Sequence, residues 1–197
     1  MRARPLATII TLSSQGLTAN HVPLHLSRQP APFGTLRGHV ARENPIWQDF
    51  VADVEVLAIF HGPEAYITPS WYPSKKQTGK VVPTWNYAVV HAYGKLQIVD
   101  DAAWLRDQLE ALTNQNEAAF AQPWRLGDAP PAYIAKLTEA IVGLEITITR
   151  LVGKWKVGQN QSVGDRAGVV QGLRSGEGMA DFLAMATLME EGGMGSR

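Results

Sequence analysis

The chain has 197 residues, of which 45 % are hydrophobic and 18 % charged, with no cysteine and a formal net charge of zero. That composition supports one packed domain and excludes disulfides, thiolate nucleophiles and zinc–thiolate sites. No apolar run approaches the ~20 residues that a membrane-spanning helix needs, and the balanced charge gives no overall basic footprint for nucleic acid.

The start, Met1 to Pro5, is basic, and residues 6–12 are apolar but broken by Thr8 and Thr11. No small-residue cleavage site follows cleanly, so this stretch is expected to be a first strand and not a leader, in a soluble cytoplasmic protein. A turn at 13–16 leads into residues 17–26, where Val22, Leu24 and Leu26 share one face and His21, Pro23 and His25 the other. A loop with two prolines precedes a strand at 34–41. Its faces are Leu36, Gly38, Val40 and Arg37, His39, Ala41. Asn44 caps a short helical turn that has Pro45 at its first position. Residues 54–60 are apolar apart from Glu55 and read as a strand buried on both faces. Gly62-Pro63 is expected to turn the chain, and residues 69–79 to be irregular. Residues 81–99 hold one long strand or two, with Gly94 marking a bend or bulge.

The second half changes period. Asp100 or Asp101 caps a helix with Leu105, Leu109 and Leu112 on one face. Asp128 before Pro130-Pro131 opens another, with Ile134, Leu137 and Ile141 inward. In 144–152, Leu144, Ile146 and Ile148 alternate with Glu145, Thr147 and Thr149, as in a half-exposed strand. Ser162 and Asp165 have the spacing of a helix cap, and Val169, Val170 and Leu173 follow. Gly176 and Gly178 read as a joint, 179–189 as a last amphipathic helix and 192–197 as a tail. Met179, Met185 and Met189 offer either core or an adaptable contact face. Six or seven strands with few helices between them favour an antiparallel barrel with late helices over a doubly wound sheet.

Charge is unevenly placed. No acid occurs between Ala65 and Val99, while Lys75, Lys76, Lys80 and Lys95 do; Glu43 is the only acid before Asp49, against five arginines. The nucleotide-binding glycine motifs, GxSxG and HExxH are all absent. His21 and His25 share a strand face but have no acid near them, so structural histidines are expected there rather than a metal site. Three segments carry chemistry. Arg37 and His39 share a strand face that ends at Arg42, which suits a phosphate or a plain solvated face. The segment from Tyr66 to Lys76 joins Ser70, Ser74, Lys75 and Lys76 to Trp71 and Tyr72 in a proline-stiffened loop; with no acid nearby it reads as an anion site. In the third, Thr84, Asn86 and Tyr87 stand where a strand begins, and an Asn amide can both give and accept hydrogen bonds.

These segments resemble the PaiB family of FMN-binding negative transcriptional regulators. The resemblance rests on Ala19-Asn20-His21-Val22-Pro23-Leu24, on Leu36 through Arg42 with Asn44-Pro45, and on Tyr66-Ile67-Thr68-Pro69-Ser70-Trp71-Tyr72. It continues through Val82 to Tyr87, His91 and Gly94, then Lys154 to Asn160, Asp165-Arg166 and Gly168-Val169. Two features depart from the family. The stretch with a helix that members carry before the first strand is missing here, and the Met- and Gly-rich residues after Gly176 match no family motif.

The resemblance implies a mainly β, pyridoxamine-phosphate oxidase-like split β-barrel with added helices. It implies a homodimer that binds FMN between subunits. On this reading residues 1–157 are the FMN-binding barrel and 158–197 a helical appendage of the same domain. The phosphate is expected against Arg37 or Arg42 and the loop of Ser70, Trp71, Lys75 and Lys76. The ring is expected near His39, Val40 and Ala41, with Asn86 from one chain and Lys156, Gln159 or Asn160 from the other. Trp47, Trp71 and Trp85 are candidate aromatic surface for the partner. The family implies negative regulation of transcription; without a helix-turn-helix pattern or basic recognition helix, indirect action through a protein partner or metabolite is expected over direct DNA binding. The alternatives are an FMN-dependent oxidoreductase on a small molecule and, from the five histidines alone, a haem-handling protein.

Overall fold

The computed structural model describes residues 1–176 and 180–191. The expectations for Gly178, Met179 and 192–197 lie outside them. Seven strands form one sheet, mainly antiparallel: β1 (Leu6–Ser13), β2 (Gly16–Pro23), β3 (His25–Ser27), β4 (Thr35–Ala41), β5 (Val56–Ile67), β6 (Thr84–Val99) and β7 (Ile141–Lys156), in the order β2-β1-β5-β6-β7-β4-β3. The helices are α1 (Ser74–Thr78), α2 (Ala102–Glu117), α3 (Pro131–Glu139), α4 (Val163–Ser175) and α5 (Ala180–Glu191). None is long and apolar enough to cross a membrane.

The chain divides into two compact units. One comprises Met1–Phe60 and His91–Val152; the other comprises His61–Val90 and the described residues from Gly153 on. The second therefore takes in more than the appendage expected after residue 157, because the 61–90 segment belongs to it.

In the first unit, period-2 patterning sets the sheet. Ala7 and Ile9 of β1, Leu36 and Val40 of β4, and Val142, Leu144 and Ile146 of β7 are buried. β4 runs against β7 with Arg37 opposite Glu145 and His39 opposite Gly143. The expected strand at 17–26 breaks at Leu24: β2 pairs with β1, β3 pairs with β4, and the Leu24 N–H donates to Pro5 O at 2.8 Å. Pro23 has no N–H with which to continue the ladder. β6 runs unbroken through Gly94; a Cβ there would stand 2.2 Å from Thr147 O, so glycine permits close strand approach. Asp101 caps α2 by accepting the Trp104 N–H at 2.8 Å. Helix α2 buries Gln108 with Leu105 and Leu112, and α3 buries Ile134 and Thr138 while Leu137 stands exposed. Ile141 belongs to β7, so it is not part of the α3 face.

β5 also differs from expectation. It is half-buried by alternation and continues through Gly62-Pro63, where a turn was expected. Its buried positions are Val56, Ala58 and Phe60, then Ala65 and Ile67, so the phase slips by one residue between Phe60 and Ala65. Such a slip is what a bulge produces, and Pro63 cannot donate to a ladder.

In the second unit a separate core gathers Ala65, Ile67, Tyr72, Val157, Val169, Leu173, Met185, Ala186 and Met189. Met185 and Met189 are thus core, and among the described residues neither offers an adaptable contact face. The Ser162 hydroxyl caps α4 by accepting the Asp165 N–H at 3.1 Å, as its spacing predicts.

Candidate functional site

The loop after β5 is ordered by local chemistry. Thr68 accepts the Ser70 N–H and starts a single 3-10 turn, Pro69–Trp71. Helix α1 follows and stops at Gly79, whose φ of 64° suits glycine. The Lys75 ammonium donates to Ser70 Oγ at 3.2 Å. Lys75 and Lys76 are exposed, and among the described residues neither pairs with an acid.

Helix α4 seats this loop. The buried Asp165 carboxylate accepts the Ser74 N–H at 3.1 Å and the Ser162 hydroxyl at 3.0 Å. The Ser74 backbone bond is the main cause that holds this carboxyl below the usual range; burial opposes it, and serine hydroxyls add to it. Burial, and then the Asp165 charge, push the Tyr72 phenol up. A Cβ on Gly168 would meet Trp71 O at 2.2 Å, and one on Gly172 would meet the Trp71 ring at 2.3 Å. The indole therefore lies directly on the bare helix backbone. A cavity of about 560 Å³ opens here, lined by Ser70, Trp71, Lys76 and Gln77 of the loop and by Gln171 and Ser175 of α4.

A smaller cavity of about 190 Å³ adjoins Tyr72 and is lined by Thr84, Asn86, Lys156, Asn160 and Gln161. Lys156 donates to Thr84 Oγ1 at 2.7 Å. Asn86 is 3 % exposed, and its Nδ2 faces Met189 Sδ at 3.4 Å. Gln159 instead folds back on its own turn: its Oε1 accepts the Val157 N–H at 2.9 Å and its Nε2 donates to Trp155 O at 2.6 Å.

The β4 candidates lie in the first unit. Arg37 Nε lies 2.8 Å from Glu145 Oε2, an ion pair by distance without hydrogen-bond alignment, and its guanidinium sits over the Trp104 ring at 5.6 Å. Arg42 donates to both Asp100 oxygens at 2.9 and 2.6 Å and to the carbonyls of Glu139 and Ile141. Val40 points into the core, whereas Ala41 is exposed. His39 Nδ1 lies 2.8 Å from Gln108 Oε1, and the Gln108 Nε2 is buried with no partner.

Within the second unit the structure thus brings Ser70, Trp71 and Lys76 to one cavity, and Asn86, Lys156 and Asn160 to another. Lys75 and Gln159 line neither, and Arg37 and Arg42 already hold acidic partners. Sequence reasoning passed over Gln161 and Gln108 as site residues, took Tyr72 only as one of the loop's aromatics, and read Asp165 only as a cap. The spacing of Gly168 and Gly172, four residues apart in a helical pattern, was a legible signal of close packing on α4. Nothing local marked Gln108, which acquires its partner from a strand 69 residues away.

A sequence profile for the family described as "Putative FMN-binding domain" matches residues 1–150. Uncharacterized protein AN0679 of Emericella nidulans is 36 % identical, over 89 % of this chain and 84 % of that one. Protease synthase and sporulation protein PAI 2 of Bacillus subtilis is 31 % identical, over 93 % of this chain and 85 % of its own. Among solved structures, the flavocytochrome Anf3 from Azotobacter vinelandii superposes with a TM-score of 0.54 at 11 % identity, covering 79 % of this chain and 63 % of that one. At that identity the likeness speaks for fold alone. The fold is a split β-barrel, a seven-stranded and mainly antiparallel sheet with added helices, and the chain belongs to the PaiB family of FMN-binding-domain proteins.

Proposed function

We propose that this chain binds FMN as a cytoplasmic homodimer and acts as a negative regulator of transcription by an indirect route. The observation that carries the cofactor reading is the charge left free on the Ser70–Lys76 loop. Lys75 and Lys76 have no acidic partner among the described residues, and Ser70 and Lys76 line the same cavity. This donor set fits a phosphate, which takes charge-assisted hydrogen bonds from ammonium and hydroxyl groups. Arg37 and Arg42 are held by Glu145 and Asp100, so the loop is the better phosphate grip. Family membership supports FMN as the molecule that brings the phosphate. The flavin when bound supplies electron-transfer capacity; the chain's own residues bind and orient it.

The dimer reading is supported by aromatic surface. Trp85 is 52 % exposed and Tyr66 46 %, and their rings meet edge to face at 6.0 Å. Trp155 is exposed as well. Exposed aromatics in a group are characteristic of interfaces. Trp47 and Trp71 serve inside the protomer: Trp47 donates to Arg42 O, and Trp71 packs on α4. Titration of the purified chain with FMN and with riboflavin, followed by flavin fluorescence, tests the cofactor reading. Tighter binding of FMN supports it, and failure to bind either flavin overturns it.

A further inference from the structure

We propose that the groove between α4 and α5 binds a small carboxylate with an aliphatic body, seated by Arg166. The site lies wholly within the second unit, and it does not rest on the flavin reading.

Helix α4 carries apolar side chains on two stripes. Val169 and Leu173 enter the core of the second unit. Val163, Ala167 and Val170, spaced i, i+4 and i+7, make the other stripe. Val163 is 87 % exposed and Ala167 is exposed, while Val170 is half-buried. A cavity of about 480 Å³ opens along this stripe, and the buried Met189 of α5 completes its apolar wall. That volume falls within the ~300–1,000 Å³ of small-ligand sites. From Val163 to Arg174 the lining follows roughly 16 Å of helix, which suits an extended chain better than a compact ring system.

Two guanidinium groups border the cavity, and their states differ. Arg174 donates to Glu190 at 2.8 Å, so its charge is met. Arg166 is half-buried and donates through one Nη to the Met189 carbonyl, one of the last carbonyls of α5. That bond fixes the guanidinium without neutralising it. No acid pairs with Arg166 among the described residues: the Asp165 carboxylate is turned to Ser74 and Ser162, and Glu190 to Arg174. A guanidinium presents its N–H groups as a planar fork that matches a carboxylate, and capping α5 occupies only part of that fork. A tethered, uncompensated cation beside aliphatic walls is complementary to a carboxylate with a saturated chain behind it. A neutral or cationic chain lacks that match.

The test titrates octanoate into the full-length protein by calorimetry, with 1-octanol, octylamine and butyrate as comparisons. Octanoate is expected to bind once per chain, and each comparison compound to bind weaker by about tenfold or more, the scale of a charge-assisted contact. Ala167→Trp fills the groove from an exposed position and is expected to abolish binding with circular dichroism unchanged. Arg166→Gln is expected to bind octanoate and octanol alike, and Arg166→Lys to keep the preference for the acid. Octanol, octylamine or butyrate bound as tightly as octanoate by the wild-type protein would overturn the assignment, and so would no binding of octanoate. Undiminished binding in Ala167→Trp would overturn it too, by placing the ligand elsewhere. The wild-type comparison needs no substitution, so the proposal remains exposed even if Arg166→Gln does not fold.

Discussion

Asp165 Oδ1 accepts the Ser74 N–H at 3.1 Å, which ties the first turn of α4 to the first residue of α1, 91 positions earlier in the chain. The lysines of the candidate phosphate loop therefore depend on a carboxylate remote in sequence. Because the folded-state pKa of Asp165 is lowered below its ordinary ~3.9, its contribution is complete above about pH 4 and is lost as pH falls through the lowered value. Trp71 fluorescence in acid titration is expected to show this loss as the loop loosens. An Asp165→Asn variant is expected to lack the transition and to bind FMN more weakly at neutral pH. A variant with the same acid profile as wild type would show that the latch does not govern the loop.

The glycines of α4 give a paired prediction. Gly172→Ala drives a methyl into the Trp71 ring and is expected to cost ~1–3 kcal/mol by overpacking. Gly164→Ala meets nothing within 4 Å and gains roughly 0.5–1 kcal/mol of helix preference. Denaturant midpoints of the two variants should move in opposite directions from wild type. Similar shifts for both would mean that the Trp71 seat is not tight.

The Lys75→Ala/Lys76→Ala double variant removes two candidate charge-assisted bonds of ~1.5–3 kcal/mol each. FMN affinity is expected to fall about tenfold or more, with circular dichroism unchanged because both side chains are exposed. Riboflavin affinity is expected to change little, since it brings no phosphate. Unchanged FMN affinity would place both ammonium groups in solvent.

The sheet was legible because period-2 alternation survives in β1, β4 and β7, and the caps at Asn44, Asp101 and Ser162 follow from short-range chemistry. Where the reading failed, distant contacts decide. Gly62-Pro63 has turn composition, yet β5 runs through it with a phase slip. Residues 69–79 looked irregular, but Thr68, Pro73 and Gly79 build a 3-10 turn and α1 within them. The paired state of Arg42 was equally hidden: its partner Asp100 is 58 residues away, and sequence alone presents both as isolated surface charges.

Regulation by an indirect route predicts weak and strongly salt-sensitive DNA binding, since phosphate contacts dominate DNA affinity and the chain carries no net charge. A promoter-fragment titration at two salt concentrations, with oxidised and reduced flavin, checks this. Tight binding that survives physiological salt contradicts the indirect route. Absence of binding in both states, together with substrate-dependent flavin reduction, moves the protein to the oxidoreductase class.

The homodimer is checked by light scattering with FMN bound. Twice the chain mass is expected at micromolar concentration, and a Trp85→Ser substitution is expected to weaken the association by removing exposed aromatic surface. A monomer that holds FMN tightly contradicts a shared site.

The most direct measurement of the central claim is the ratio of FMN to riboflavin affinity for the wild-type chain at neutral pH. The account predicts one flavin per chain and a preference for FMN of about tenfold or more, corresponding to at least ~1.4 kcal/mol from the phosphate contacts. Equal affinities would contradict the phosphate grip at Ser70, Lys75 and Lys76, and binding of neither flavin would contradict the cofactor itself.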